Sequence, residues 1–149
     1  MSHTYTSELF HVVFSTKERR RSIPPDMQDR LWAFLGGIAR RNGFKAMAVG
    51  GTENHVHMLL SIPATMPLAA AMQLLKVGSS KWLNETIVES SFEWQEGYGA
   101  FSVSVSHQRQ TILYINSQAE HHRTRNFEDE FISFLKKHEI DYDPKLVWG

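Results

Sequence analysis

Asn54-His55-Val56-His57-Met58-Leu59-Leu60 sets two imidazoles inside an apolar run, and the conformation of this segment decides what they face. In an extended strand, side chains two apart share a face. His55 and His57 then point one way while Val56, Met58 and Leu60 point the other. Two neutral imidazoles on one face can hold a divalent metal, but two histidines at the solvated end of a strand would show the same spacing. A second signal is needed, and Tyr114 with Gln118 supplies it.

Before the histidine segment, Gly50-Gly51-Thr52 reads as a turn from a strand over residues 44–49, making a hairpin. Upstream, residues 8–16 carry Leu9, Phe10, Val12, Val13 and Phe14, a β-branched and aromatic run expected to be a buried strand. Pro24-Pro25-Asp26 opens a helix over 27–39, in which Met27, Leu31, Phe34, Leu35 and Ile38 recur at helical spacing until Asn42-Gly43 stops it. Pro63 ends the histidine strand. Pro67 suits the first turn of another helix, with Leu68, Met72, Leu75, Ser79, Trp82 and Leu83 on one face. Residues 101–106 alternate Phe, Val and Val with three serines, the period of a half-exposed strand, and Ser106 is a suitable N-cap for a helix running without Gly or Pro to about Arg123. A last helix begins near Asn126 with Phe127, Phe131, Phe134 and Leu135 as its buried stripe.

The order is strand, helix, strand, strand, helix, strand, then two helices. It predicts an α+β fold of the ferredoxin-like, RRM-like kind: an antiparallel sheet with helices on one face, plus C-terminal helices. The other sheet face then needs a purpose or a partner. With 149 residues the chain fits a single domain, 1–149. Its 42% hydrophobic content argues against disorder, and without cysteine there are no disulfides and no thiolate metal sites. The start, Met1-Ser2-His3-Thr4-Tyr5-Thr6, lacks a basic region followed by an apolar run, and no stretch is long enough to span a bilayer, so a cytoplasmic protein with no membrane association is expected. Formal net charge is zero. The distribution is uneven: Lys17, Arg19, Arg20 and Arg21 form a dense basic cluster, whereas Glu128-Asp129-Glu130 is acidic and suits a helix N-terminus.

Tyr114 and Gln118 lie four apart in the predicted helix and project from one side, with His121 nearly there. Beside a two-histidine metal site, a tyrosine has a specific chemistry. A phenol is a poor nucleophile at neutral pH, but a metal on a phosphate oxygen stabilises the developing transition state. Attack on a phosphodiester gives a phosphotyrosine and a free 3′ hydroxyl, and that hydroxyl can later reverse the step, so joining needs no nucleoside triphosphate.

His55-Val56-His57 resembles the histidine, hydrophobic, histidine motif of HUH nucleases. Tyr114-Ile115 with Gln118 and Glu120-His121-His122 resembles the catalytic helix of the small tyrosine transposases, the single-strand DNA transposases of the smallest bacterial insertion sequences. Phe14-Ser15-Thr16-Lys17-Glu18-Arg19-Arg20 and Trp94-Gln95-Glu96-Gly97-Tyr98-Gly99-Ala100-Phe101-Ser102 are further matches, so the likeness covers nearly the whole chain in order. Glu18 stands where relatives commonly carry an aromatic, and Asn54 where many carry an aspartate. The resemblance implies that Tyr114 is the nucleophile and that His55, His57 and Gln118 ligate Mg2+ or Mn2+. It also implies a homodimer with composite sites, in which one subunit's tyrosine helix serves the other's histidines; the span of 57 positions from His57 to Tyr114 permits either arrangement. The DNA would be single-stranded hairpins at transposon ends, with Lys17, Arg19, Arg20 and Arg21 on phosphates. The expected function is cleavage and rejoining of single-stranded DNA through a 5′-phosphotyrosine. One rival is a domesticated or inactive hairpin-DNA-binding protein of the same fold, and another an RNA-binding sheet with exposed aromatics. Tyr98 is assigned to structure, as are His3, His11, His107 and His138. His121 and His122 are placed at a helix end, and the four tryptophans in core or interface.

Overall fold

Strand alternation sorts the side chains of this chain onto two differently covered sheet faces. The elements are β1 (Leu9–Ser15), α1 (Gln28–Arg41), β2 (Lys45–Gly51), β3 (His55–Ser61), α2 (Leu68–Thr86), β4 (Gly99–Val103), α3 (Gln108–Asn116), α4 (Gln118–His121) and α5 (Phe127–Lys137). They come from a computed structural model that describes residues 3–87 and 90–148, so Met1 and Ser2 of the start read above lie outside the described residues. The four strands form one antiparallel sheet in the order β2-β3-β1-β4, the topology that the βαββαβ succession predicts.

On one face, Val12 and Phe14 of β1 and Val56, Met58 and Leu60 of β3 pack against Leu31, Leu35 and Ile38 of α1 and Met72, Leu75 and Leu83 of α2. This is the main core. Phe14 is fully buried, edge-on to Trp94 with ring centroids 4.8 Å apart, and the Trp94 indole donates to Ser79 Oγ at 2.9 Å. Lys76 of α2 donates to the carbonyls of Gln95 (2.6 Å) and Gly97 (2.9 Å), which holds the irregular approach to β4. The Trp94–Ser102 block is thus structural, with Tyr98 packed against the core.

The opposite face is covered by the chain itself. Leu9 and Leu59 pack with Ile115 of α3, while Val13 and Phe101 pack with Phe127, Phe131 and Leu135 of α5. The sheet therefore carries helices on both faces, and among the described residues no aromatic strand face is left open for stacking RNA bases.

Three local expectations are corrected. Gly50 and Gly51 do not make the hairpin turn. They continue β2, paired with His57 and Val56, and the connection is Thr52–Asn54, closed by Thr52 N–H donating to the His55 carbonyl at 3.1 Å. Glycine serves there for close approach: a Cβ on Gly50 would overlap the Ile115 carbonyl of α3. Gly43, by contrast, takes φ +82° and ends α1 as a helix-stopping glycine does. Ser106 is not the N-cap of α3; it lies in a short 3₁₀ turn, Val105–His107, that precedes the helix. Finally, the helix expected to reach Arg123 breaks at Ser117 (φ −110°, ψ 23°) into α3 and α4. The Ser117 hydroxyl donates to the Leu113 carbonyl at 2.7 Å, a back-bond of the type that bends helices.

Gly50→Val is expected to destabilise the protein by about 1–3 kcal/mol through overpacking against α3, lowering the melting temperature. An unchanged melt would refute the close approach.

Candidate active site

β3 delivers His55 and His57 to the face covered by α3 and α5, and both are buried, at 1% and 0% exposure. Neither lies at a solvated strand end. Each ring is held from behind. His55 Nδ1 lies 2.8 Å from Asn54 Oδ1 and 3.0 Å from Thr52 Oγ1, and His57 Nδ1 lies 2.8 Å from Nε2 of His11. Both therefore present Nε2 to the same space, the second-partner arrangement that orients metal-binding imidazoles. Asn54 supplies the needed acceptor through its amide oxygen.

Four further side chains converge there. Gln118 Oε1 lies 3.1 Å from His55 Nε2 and 3.1 Å from His122 Nε2. Glu130 Oε1 lies 2.9 Å from His57 Nε2 and 3.2 Å from His122 Nε2, while its other oxygen accepts a hydrogen bond from the Tyr114 hydroxyl. The break at Ser117 does not separate Tyr114 from Gln118, whose side-chain amide reaches the Tyr114 carbonyl at 3.4 Å. Tyr114 stands 5.8 Å, ring to ring, from His57 of its own chain, with His121 against its other side at 4.5 Å. A cleft of about 390 Å³ bordered by Tyr114, His11, Phe101, Phe134 and Lys137 leads to the phenol from outside.

Electrostatics follow from burial. Burial and then the neighbouring His57 lower His11 to about 3; burial, His57 and His122 lower His55 to about 3. Burial also lowers His57, against the pull of Glu130. For Glu130, burial works to raise the carboxyl, but hydrogen bonds from His122 and His57 outweigh it and hold the group well below the usual carboxylate range. Burial, then the Glu130 carboxylate, pushes the Tyr114 phenol above its ordinary value, so it is a hydrogen-bond donor here. The ensemble is a carboxylate, a carboxamide oxygen and imidazoles around one point. Oxygen and imidazole donors of this kind fit a divalent cation.

His11, for which the sequence alone suggests an ordinary role, sits under His57. Its position in mid-strand, on the parity of Leu9 and Val13, was the available signal. Glu130 has the sequence position of a helix-end charge but is buried. It falls three residues after Phe127 on the buried stripe of α5, where a carboxylate is out of place unless paired. His122 rather than His121 enters the cluster, at the four-residue step from Gln118. Asn126 caps α5 by accepting from Asp129 N–H at 2.8 Å.

The basic cluster is ion-paired on the surface. Lys17 meets Glu93 at 2.7 Å, Arg19 meets Glu128 at 2.8 Å, Arg20 meets Glu18 at 3.0 Å, and Arg21 meets Glu53 at 3.6 Å. Arg19 also lies over the Trp148 ring at 4.7 Å. Lys17, Arg19, Lys76, Trp94 and Trp148 line a cleft of about 590 Å³. Among the described residues no helix is long and apolar enough to cross a membrane.

A family described as IS200-like transposase matches residues 4–118. The transposase of insertion sequence IS200 from Salmonella typhimurium is 27% identical over 104 residues, covering 66% of this chain and 68% of that protein. Two solved structures share the fold. One, a provisionally assigned transposase from Deinococcus radiodurans R1, superposes with a TM-score of 0.65 at 21% identity, covering 77% of this chain and 93% of that one. The other, a REP-associated tyrosine transposase bound to a REP hairpin, gives 0.57 at 14% identity, covering 77% and 68%.

The buried imidazoles also set an acid response. Folded His11 and His55 take up protons near pH 3, whereas the unfolded chain does so near 6.5. The unfolded state therefore binds more protons as pH falls between these values, and stability complete above 6.5 drains away below it. The melting temperature of the metal-free protein should fall steadily from pH 6.5 to about pH 4, with a shallower slope in His11→Gln. Equal slopes would contradict the burial of a neutral His11.

Proposed function

This chain belongs to the IS200-like transposase family, and from that premise we propose that it cleaves and rejoins single-stranded DNA with Tyr114 as nucleophile. The observation that carries the reading is convergence: the Tyr114 hydroxyl is bound to the same carboxylate that meets Nε2 of His57. His55, His57 and Gln118 would hold Mg2+ or Mn2+. Such a cation, when bound, draws charge from a phosphate oxygen and lowers the barrier to attack at phosphorus. Tyr114 Oη forms a bond to phosphorus as the bond from phosphorus to the 3′ oxygen breaks. The phenol gives up its proton and the 3′ oxygen gains one, leaving a 5′-phosphotyrosine. Attack by a 3′ hydroxyl reverses the step and rejoins the strand.

Around this centre, His11 and Asn54 orient the histidines, and Glu130 fixes the direction of the phenol. The substrate would be a DNA hairpin at a transposon end, a reading supported by the relative solved with a REP hairpin. Lys17, Arg19, Arg20 and Arg21 would exchange their exposed carboxylate partners for phosphates, giving an affinity that falls with salt. The whole chain, 1–149, would act as one domain in the cytoplasm, and as a homodimer. Tyr114 stands beside its own histidines, so a composite site requires α3 and α4 to part from Glu130 and cross to the partner.

Labelled single-stranded oligonucleotides from the gene's own flanks, incubated with protein and Mn2+ or Mg2+, should give a covalent band on a denaturing gel. Tyr114→Phe should abolish that band while sparing hairpin binding, and His55→Ala should remove metal-dependent cleavage. Adduct retained in Tyr114→Phe sinks the assignment; tight hairpin binding with no adduct under any divalent metal points to an inactive or domesticated binder. Light scattering in solution should give twice the chain's mass, and a monomer would rule out the composite site.

A further inference from the structure

Glu130 and His122 lie beyond the 4–118 stretch that matches the family, yet they occupy the centre of the site. One ligand atom each from His55, His57, His122 and Glu130 falls within 4.8 Å of the others. Ligands at about 2.0–2.2 Å from one shared ion are separated by roughly 3–4 Å, so the cluster is slightly wider than a coordination sphere and closes on one ion with a small contraction. The carboxylate is almost wholly buried, and among the described residues its side-chain contacts are imidazoles and a phenol, with no lysine or arginine. A buried anion in such company is costly unless a cation compensates it.

Lone-pair directions give a second argument. Asn54 Oδ1 can only accept, so the His55 Nδ1 facing it carries the proton, and Nε2 of the neutral ring presents a lone pair to the cluster. That lone pair faces Gln118 Oε1 at 3.1 Å and Glu130 Oε1 at 3.7 Å, both of them acceptors. On this side His55 Nε2 meets only acceptors, an arrangement that a cation resolves.

We infer that Glu130 and His122 are metal ligands that complete the set begun by His55, His57 and Gln118, with the second oxygen of Glu130 docking Tyr114 against the metal. The inference rests on the nuclease reading above and adds two ligands to it. Three imidazoles with one carboxylate form a donor set suited to a first-row transition cation such as Mn2+. Mg2+ demands oxygen ligands and retains water. The preference is therefore for Mn2+ over Mg2+.

The test is titration of the metal-free, full-length protein with Mn2+, reading the free-ion electron paramagnetic resonance signal, with Mg2+ as competitor and circular dichroism melts as a check on folding. Glu130→Gln should weaken Mn2+ binding by about tenfold or more, His122→Ala should also weaken it, and a large excess of Mg2+ should not displace Mn2+ from the wild type. If Glu130→Gln destabilises the fold, partly exposed His122 carries the comparison. Wild-type affinity in both variants, with His55→Ala defective, would overturn this inference and leave the nuclease reading standing. Ready displacement by Mg2+ would overturn the preference. No Mn2+ binding by the wild type would remove the inference and the metal-dependent reading together.

Discussion

One buried carboxylate ties the second face of this protein together. Glu130 enters from α5 and meets His57 of β3, His122 beyond α4 and Tyr114 of α3. Each of these partners is fixed by a different element, so the geometry of the site depends on all of them packing correctly at once. Burial keeps His55 and His57 neutral, and hydrogen bonds from His122 and His57 keep the carboxylate ionised. Either half without the other would be an unpaired polar group in a low-dielectric interior.

That arrangement follows from strand parity. β3 is buried on both faces, so its alternate residues serve two packing environments. Val56, Met58 and Leu60 join the large core beneath α1 and α2. His55 and His57 go to the opposite face, where Leu59 and Val13 anchor α3 and α5 on either side. Apolar contacts therefore flank the polar cluster and exclude water from it, which strengthens the hydrogen bonds inside.

Much of this was legible in the chain because periodicity is a local property. The six core elements and the stripes of α1, α2 and α5 follow from apolar spacing, and so does the common face of His55 and His57. Features that depend on tertiary contact were not legible. Gly50 and Gly51 look like a turn because two glycines usually make one; only the presence of α3 above β2 gives them another purpose. Ser117 looks neutral in a helix until its hydroxyl competes for the Leu113 carbonyl. His11 and Glu130 have no partner nearby in sequence, and their roles exist only where β1, β3 and α5 meet. Glu130 did leave a trace, as a charge at a stripe position of an amphipathic helix.

The closing contacts of the site span long stretches of the chain: 63 positions from His55 to Gln118, and 73 from His57 to Glu130. Such contacts pay their loop-closure entropy late, after local elements have formed. A chain growing from its N-terminus can lay down the four-stranded sheet and the helices of its first face before α5 exists. The nascent protein then holds the paired histidines, and next the tyrosine, without the carboxylate that joins them. The cluster therefore forms only once α5 has been added, and a chain that stops short of α5 lacks the carboxylate that ties its second face together.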